Sequence, residues 1–442
     1  MLDLLVASAS GAAGVDHGVG TSELMAAMAG VHVTYLQHLL VPVGLSLDYA
    51  VDPAGSWTSP LSILGVLLAL GAIAGLFVAV KRGHALGAFA AALWIFGLAP
   101  VNNVFPRTAA LMADRYLYIP AIGVYLLLAA LLLRTKGARV WIVGAVVVLL
   151  AVLCELRTAA FATSESIWSD AIRKVPTSAL AYIQRGTDRS TRGLHEAARK
   201  DADAALALDP RPEFVVRAHL LRCQSLVGLA TQAEGERRDA LVEQLLFEAN
   251  AAASVADGLA ANAMVRDDPS LVRSMAQNYI GNALEMQGDA FGARDAYFRA
   301  VQLADENANA WMNYGTMLLK SRNAEDHAAA IEALRRARDL APARLDIVLQ
   351  LALAHGTGGD AKRALALLDR AADRHGDGPE VLYTRASVLL RVAQDWGGAQ
   401  EILRKLREVD PNHPKGTRLE ADIETAIGRA RLRKGRDERD VT

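Results

Sequence analysis

The sequence predicts an all-α protein in which a multi-span helical membrane domain precedes an α-solenoid. Leu61 to Val80 is a run of twenty residues without a charged side chain, which is long enough to cross a bilayer as a helix. Apolar residues make up 52% of the chain, the mean hydropathy is +0.19, and the excess lies before about residue 157. Beyond that point small residues and prolines recur at a spacing of 34 residues, as they do in helical repeats.

The membrane domain is predicted to contain four spans, at about residues 61–80, 85–101, 116–133 and 140–157. Their glycines, alanines and tryptophans are typical of membrane packing and of interfacial placement. An earlier run, Leu24 to Val41, carries no acidic or strongly basic side chain but contains His32 and His38. This run is compatible with a fifth span or with a helix that lies in the interface.

The basic residues predict the orientation of these spans. Lys81 and Arg82 follow the first span, and a second basic loop, Arg134 to Arg139, follows the third. Because basic loops remain in the cytoplasm, the other connections and everything after Arg157 are expected to be extracytoplasmic.

The second half of the chain indicates tetratricopeptide (TPR) helix pairs, because Pro176 and Pro210 are 34 residues apart and so are Gly281 and Gly315. Further units begin near residues 179, 274, 308, 345 and 379, and residues 213–269 form a stretched pair. Near residue 308 the sequence "ANAWMNYGTMLLK" precedes "AAAIEALRRARDLAP", which places large, small and helix-ending residues as a TPR requires: Trp311, Tyr314, Gly315, Ala330, Leu334, Ala337 and Pro342. The predicted regions are therefore 1–60 (apolar or interfacial), 61–157 (membrane), 158–412 (repeats) and 413–442 (capping helix and charged tail).

Composition and motifs exclude several function classes. The net charge of -1 gives no attraction toward nucleic acid. Cys154 and Cys223 lie far apart in the sequence, and no Cys/His spacing typical of a metal site occurs. The sequence also contains no Gly-rich phosphate loop and no nucleophile or zinc-protease motif. We therefore expect no metal and no cofactor, and a binding surface rather than an enzyme.

One motif at the edge of the third span departs from this pattern. The stretch "NNVFPRTAALMADRYLYIPAIG" and the later "SIWSDAIRKVP" frame the last spans, and "YLQHLLVPVGLSLDYAVDP" precedes them. With the TPR units, these stretches resemble the GT-C class of membrane glycosyltransferases with TPR tails, the TMTC-type O-mannosyltransferases and their bacterial relatives. The resemblance covers about residues 30–412, and Asp114 to Pro120 is its most specific part.

The resemblance implies sugar transfer from a polyprenyl-phosphate donor, but the family's catalytic acidic residues lie in an early extracytoplasmic loop that has no counterpart in this sequence. Asp114, Arg115, Tyr116 and Tyr118 have two interpretations. In the first, Arg115 and nearby Arg107 hold a lipid-linked phosphate, because the guanidinium fork pairs bidentately with phosphate oxygens, and the tyrosines line the same cleft. In the second, the cluster is an interfacial anchor with an exposed Asp114–Arg115 pair.

The repeats offer a second candidate site. The first helix of each TPR pair is expected to line the concave face, where peptides bind, and it carries Asn278 and Asn282 in one repeat and Asn309 and Asn313 in the next. Asn282 and Asn313 occupy helix positions at which other TPR proteins, such as O-GlcNAc transferase, carry asparagine. A carboxamide is both donor and acceptor and can pair with an extended backbone; the alternative is that these are ordinary solvated residues.

Together, these observations predict an integral, multi-pass membrane protein whose extracytoplasmic TPR half binds a protein or peptide partner. The rival hypothesis is a glycosyltransferase, or a subunit of one, that lacks its N-terminal catalytic half and contacts membrane lipid, including a polyprenyl-phosphate sugar.

The predicted orientation is testable with topology reporters. Alkaline phosphatase fused after Thr442 should be active, because the basic loops place the chain terminus outside the cytoplasm. A fluorescent reporter that matures only in the cytoplasm should stay dark at the same position. A fluorescent fusion together with an inactive phosphatase fusion would reverse the orientation.

Overall fold

The computed structural model describes residues 19–102, 111–133, 139–208, 210–261, 268–321 and 323–440, and every regular element within these ranges is a helix. The described residues fall into two compact units, one up to residue 241 together with 254–269, the other 242–253 together with residues from 270 onward. The all-α class is as predicted.

The first unit begins with five apolar helices and continues with helices of the repeat region. The apolar helices are α1 (Thr21–Leu40), α2 (Pro60–Lys81), α3 (Ala85–Leu98), α4 (Tyr118–Leu133) and α5 (Arg139–Ala159), with 3₁₀ turns at Ala99–Val101 and Asp114–Leu117. The repeat helices are α6 (Ser164–Lys174), α7 (Ala179–Thr191), α8 (His195–Ala207) and α9 (Pro212–Gln232), and α10 (Gly235–Ala261) follows them.

The number of spans differs from the prediction of four. Within the described residues, only α2 is long and apolar enough on its own to cross a membrane. Helices α3 and α4 have 14 and 16 residues, fewer than the roughly 20 that a bilayer requires. The apolar part of α5, Gly144–Ala159, reaches the length and hydropathy of a span only together with α6, and the two helices are bent by 117°.

Small residues bring the apolar helices into close contact. A Cβ atom added to Gly65 of α2 would lie 1.8 Å from the carbonyl oxygen of Ala29 in α1, and one added to Gly123 of α4 would lie 2.8 Å from that of Ala90 in α3. Ser62 Oγ also donates to the carbonyl oxygen of Ala26, at 2.8 Å. Such contacts are the usual way in which membrane helices associate.

A core forms where α1 and α3 meet the segment around Asp114–Leu117. Its fully buried side chains come from one stripe of α1, from the end of α3 and from the residues before α4: Leu24, Met28, Val31, Tyr35, Leu39, Trp94, Leu98, Leu111, Met112 and Leu117.

Asp170 on α6 ties α5 to the first repeat helix. Its side chain accepts hydrogen bonds from Arg173 (2.7 Å), Lys174 (2.8 Å) and Arg157 of α5, and the residue is only 6% exposed. Burial opposes the charge, but the bonds from Lys174, Arg173 and Arg157 outweigh it and lower the pKa of Asp170 to about 2.

The segment between α1 and α2 reaches the same helices. Lys174 Nζ donates to the carbonyl oxygen of Leu45 at 2.7 Å, and Ser178 Oγ donates to Asp48 Oδ2 at 2.6 Å. The connection between two apolar helices is thus attached directly to the first repeat.

The second unit contains the repeat helices α11 (Pro269–Gln287), α12 (Ala290–Leu303), α13 (Ala308–Leu318), α14 (Ala324–Leu340), α15 (Leu345–Thr357), α16 (Ala361–His375), α17 (Pro379–Val388), α18 (Trp396–Val409) and α19 (Gly416–Asp440), with a π-helical turn at Leu389–Ala393.

The two glycines spaced 34 residues apart explain how these helix pairs close. A Cβ added to Gly281 of α11 would lie 2.5 Å from the ring of Tyr297 in α12, and one added to Gly315 of α13 would lie 2.8 Å from Leu334 Cγ in α14. The second helix of each pair therefore packs against a backbone without a side chain. The helix pairs of the second unit form a TPR-like solenoid, as predicted for the repeats.

We expect Asp170→Asn to lower the stability of the full-length chain in detergent by roughly 3 kcal/mol at pH 7, because three cations lose their buried partner. The folded pKa of about 2 lies below the usual 3.8, so the carboxylate stabilises the fold above about pH 4 and this contribution is lost as pH falls through 2. Thermal unfolding by circular dichroism at pH 7 and pH 2.5 measures the difference in stability between the wild-type chain and the variant. This difference should be smaller at pH 2.5.

Asp295→Asn is the matched control, because Asp295 pairs with Arg299 at 2.8 Å on an exposed helix face and such pairs contribute about 0–1 kcal/mol. Equal losses for the two variants at pH 7 would contradict the role of Asp170.

Candidate functional site

Three of the four predicted asparagines in the repeats are joined to one another. Asn313 Nδ2, on α13, donates to Asn278 Oδ1 at 2.9 Å and to Asn282 Oδ1 at 3.2 Å, both on α11. Asn278 is 5% exposed, whereas Asn282 and Asn313 are partly exposed. We call Asn278, Asn282 and Asn313 the amide row; it runs from the first helix of one repeat to the first helix of the next.

A tyrosine from the second helix of the pair holds the amide row in place. The hydroxyl of Tyr297 lies 2.7 Å from Asn282 Oδ1 and 2.9 Å from Glu285 Oε2. Burial and the charge of Glu285 raise the pKa of Tyr297, so its hydroxyl keeps its proton and donates. Its ring fits against Gly281, and the neighbour of that glycine in the chain, Asn282, thereby meets the hydroxyl.

The hydrogen bonds within the amide row leave defined groups for a ligand. Because Asn313 Nδ2 is used twice, Asn313 Oδ1 remains as an acceptor. Asn278 Nδ2 and Asn282 Nδ2 donate to no other group of the described residues and so remain as donors; Asn282 is partly exposed, whereas Asn278 is only 5% exposed. A polypeptide backbone carries the complementary carbonyl and N–H groups in alternation.

The fourth asparagine lies apart from the amide row. Asn309 is exposed at the start of α13, and its Oδ1 accepts a hydrogen bond from Arg344. Arg344 also pairs with Asp346 at 2.5 Å. Asn309 therefore belongs to a neighbouring polar contact.

In the first unit, the structure gives Asp114 partners other than Arg115. Tyr49 donates its hydroxyl proton to the carboxylate of Asp114, at 2.9 and 2.8 Å from the two oxygens, and His38 Nδ1 lies 3.1 Å from Oδ1. Burial raises the pKa of Tyr49, which keeps this donor protonated. Within the described residues, the Asp114–Arg115 pair of the anchor interpretation does not form, because Asp114 bonds to α1 and to the segment after it.

Arg115 and Tyr118 are both exposed and do not bond to this cluster within the described residues. The guanidinium of Arg115 lies 5.1 Å from the ring centre of half-buried Tyr116, and within the described ranges Arg115 has no ion pair. Tyr118 is 77% exposed. Arg107, the other predicted phosphate ligand, lies outside the described residues.

Sequence reasoning missed Tyr49, His38 and Tyr297 as partners in these two clusters. The separation of Tyr49 from Asp114 is 65 residues, and no periodicity connects two such positions. The histidines of α1 have separate partners, since His32 Nε2 donates to Asn102 Oδ1 at 2.7 Å. Within the described ranges, no group of three His, Cys, Asp or Glu side chains is arranged to hold a metal ion.

No model of a protein family matches the chain. Among curated proteins it is similar to protein O-mannosyl-transferase F38B6.6 of Caenorhabditis elegans, with 26% identity over 189 residues, or 40% of this chain and 26% of that protein. The resemblance to this family is thereby confirmed. The chain spans about a quarter of the length of this relative.

Solved structures of TPR proteins are among those that are similar to the chain. TTC0263, a TPR protein of Thermus thermophilus, is 17% identical, covers 46% of this chain and 98% of its own, and has a TM-score of 0.33. PilF of Pseudomonas aeruginosa is 21% identical, covers 55% of this chain and 97% of its own, and has a TM-score of 0.37. The TPR architecture described above rests on the helix pairs of the chain itself.

Proposed function

We propose that this chain is a membrane-anchored TPR protein whose extracytoplasmic repeats bind an extended segment of a protein partner. The amide row is the observation that carries the proposal. Its three carboxamides are fixed by their own hydrogen bonds and by Tyr297, so little rotamer entropy remains to be lost on binding. Their remaining donors and acceptor suit a backbone and do not select side chains.

The surface of α2 supports a membrane location. Large apolar side chains on several faces of this helix are more than half exposed, among them Leu61, Leu67, Leu70, Phe77 and Val80. Exposed apolar area of this extent is unfavourable in water and favourable in lipid. The small-residue contacts of α1 with α2 and of α3 with α4 suit the same environment.

Hydrogen bonds within the first unit support one side of the membrane for three polar parts: the segment between α1 and α2, the turn at Asp114 and the first repeat. Tyr49 and Asp48 lie between α1 and α2, and they bond to Asp114 and to Ser178 of the first repeat. A bilayer cannot separate bonded groups, so these three parts share one side. Lys81 and Arg82 are at the opposite end of α2, which suits an extracytoplasmic position for the repeats.

Replacing Asn282 and Asn313 by alanine should weaken capture of the partner and leave the fold intact. Each lost hydrogen bond contributes about 0.5–1.5 kcal/mol, so the double variant should bind roughly 5- to 100-fold more weakly. The measurement is a pull-down from the extracytoplasmic fraction with the detergent-solubilised full-length chain, and circular dichroism on the same sample verifies helicity.

The matched control is Gln302→Ala, which removes a carboxamide from an exposed position on the second helix of the pair. Equal capture by the wild-type chain and the double variant, at equal helicity, would refute the amide row as the binding site.

A second candidate function is a role in glycosyl transfer from a polyprenyl-phosphate sugar. The similarity to the Caenorhabditis elegans O-mannosyl-transferase favours it. So does the arrangement at Arg115: because Asp114 bonds to Tyr49 and His38, the neighbouring guanidinium is not neutralised by it. An exposed guanidinium beside a bilayer suits a lipid phosphate.

If Arg115 binds a phosphate, Arg115→Lys should weaken binding nearly as much as Arg115→Ala, because a point charge does not replace the bidentate fork. We expect a loss of roughly 10- to 100-fold, since hydrogen bonds to charged groups contribute about 1.5–3 kcal/mol. The affinity is measured as binding of a fluorescent short-chain polyprenyl phosphate to the solubilised chain. Arg82→Lys, just after the end of α2, is the control because it makes the same change away from Arg115. Full affinity of the Lys variant would leave Arg115 as an interfacial anchor.

A further inference from the structure

Gln350 places a carboxamide in the next repeat at the helix position that Asn313 occupies in its own repeat. Asn313 is the sixth residue of α13, and Gln350 is the sixth residue of α15. Both side chains are partly exposed, and within the described ranges Gln350 has no hydrogen-bond partner. Arg344, the residue before α15, contacts both Asn309 and Met312 of α13. The two helices are therefore neighbours, and equal positions along them share one face.

We propose that the amide row continues to Gln350 and that its ligand is an uncharged, extended stretch inside a polypeptide, not a chain end or an acidic motif. The inference rests on the proposed function and specifies the chemistry of its partner.

The charges beside the amide row exclude a carboxylate as the selected group. Lys320, which follows α13, pairs with Glu285 at 2.5 Å. On the other side, Arg344 pairs with Asp346 and donates to Asn309. Both cations are already neutralised by carboxylates of the chain. A terminal carboxylate or an acidic side chain of a ligand would meet these carboxylates and gain little.

The geometry of the repeats sets the length of the ligand. Packed neighbouring helices lie about 8–10 Å apart, and an extended chain rises about 3.3 Å per residue. Each repeat therefore accommodates about three residues, and a stretch of about six extends from the helix of Asn278 to that of Gln350.

The test compares synthetic peptides on the full-length chain in detergent micelles. The probe is a fluorescent ten-residue peptide of alternating Ser and Thr with its terminus amidated, because it is uncharged and Thr favours extended backbone. A second peptide has a free terminal carboxylate, a third carries four Glu residues, and a fourth has N-methyl groups on alternate amides. Fluorescence anisotropy gives the affinities.

We expect the uncharged, amidated peptide to bind more tightly than the two acidic ones and the N-methylated one to lose roughly 10-fold or more. Gln350→Ala should weaken the uncharged peptide roughly 2- to 10-fold, and the control Gln302→Ala should leave its affinity unchanged. Because the N-methylated peptide probes the same hydrogen bonds without altering the protein, a misfolded variant would not obscure the result.

Tighter binding of the free-carboxylate or Glu-containing peptide would overturn the inference about the ligand. Full affinity of Gln350→Ala, with a loss in the Asn282/Asn313 double variant, would end the amide row at Asn313. Either result leaves the proposed function standing. If no peptide binds and partner capture is also insensitive to the double variant, the proposed function fails, and the inference fails with it.

Discussion

The close approach of helices at residues without a side chain is the constraint on which both units depend. In the first unit, α1 meets α2 at Ala29 and Gly65, and α3 meets α4 at Ala90 and Gly123. In the second unit, Gly281 and Gly315 play the same part against Tyr297 and Leu334. Without a side chain at these positions, the backbones of the two helices approach closely and their neighbours pack tightly in between. The same residue type therefore brings helices together in the apolar helices and in the repeats.

The candidate binding site is a product of this packing. The ring of Tyr297 occupies the space that a side chain at position 281 would fill, and its hydroxyl consequently reaches Asn282 and Glu285. The bond fixes the carboxamide of Asn282, and Asn313 then links it to Asn278. A glycine selected for helix packing thereby determines which atoms of the neighbouring asparagine remain available to a ligand.

The sequence predicted the helical repeats better than it predicted the side-chain partners of Asp114. A spacing of 34 residues identified the glycines, because each repeat packs on its neighbour in the same way and the pattern recurs along the chain. The partners of Asp114 follow no such rule. His38 and Tyr49 are 76 and 65 residues away from it, and their meeting depends on how α1 and the segment after it fold back. The apolar runs were recognised as helices, but their lengths were set by turns, as at Ala99–Val101, that hydropathy does not reveal.

The bonds of Asp48 and Leu45 to the first repeat have a consequence for biosynthesis. Repeat helices find their partners within a few tens of residues, whereas Asp48 and Ser178 are 130 residues apart in the chain. At the usual rate of about 5–20 residues per second, roughly 6–26 s pass between the synthesis of these two residues. During that interval the apolar helices enter their environment while the segment between α1 and α2 has not yet met Lys174 or Ser178. The order of synthesis thus makes this attachment a late step, completed only after the first repeat has emerged.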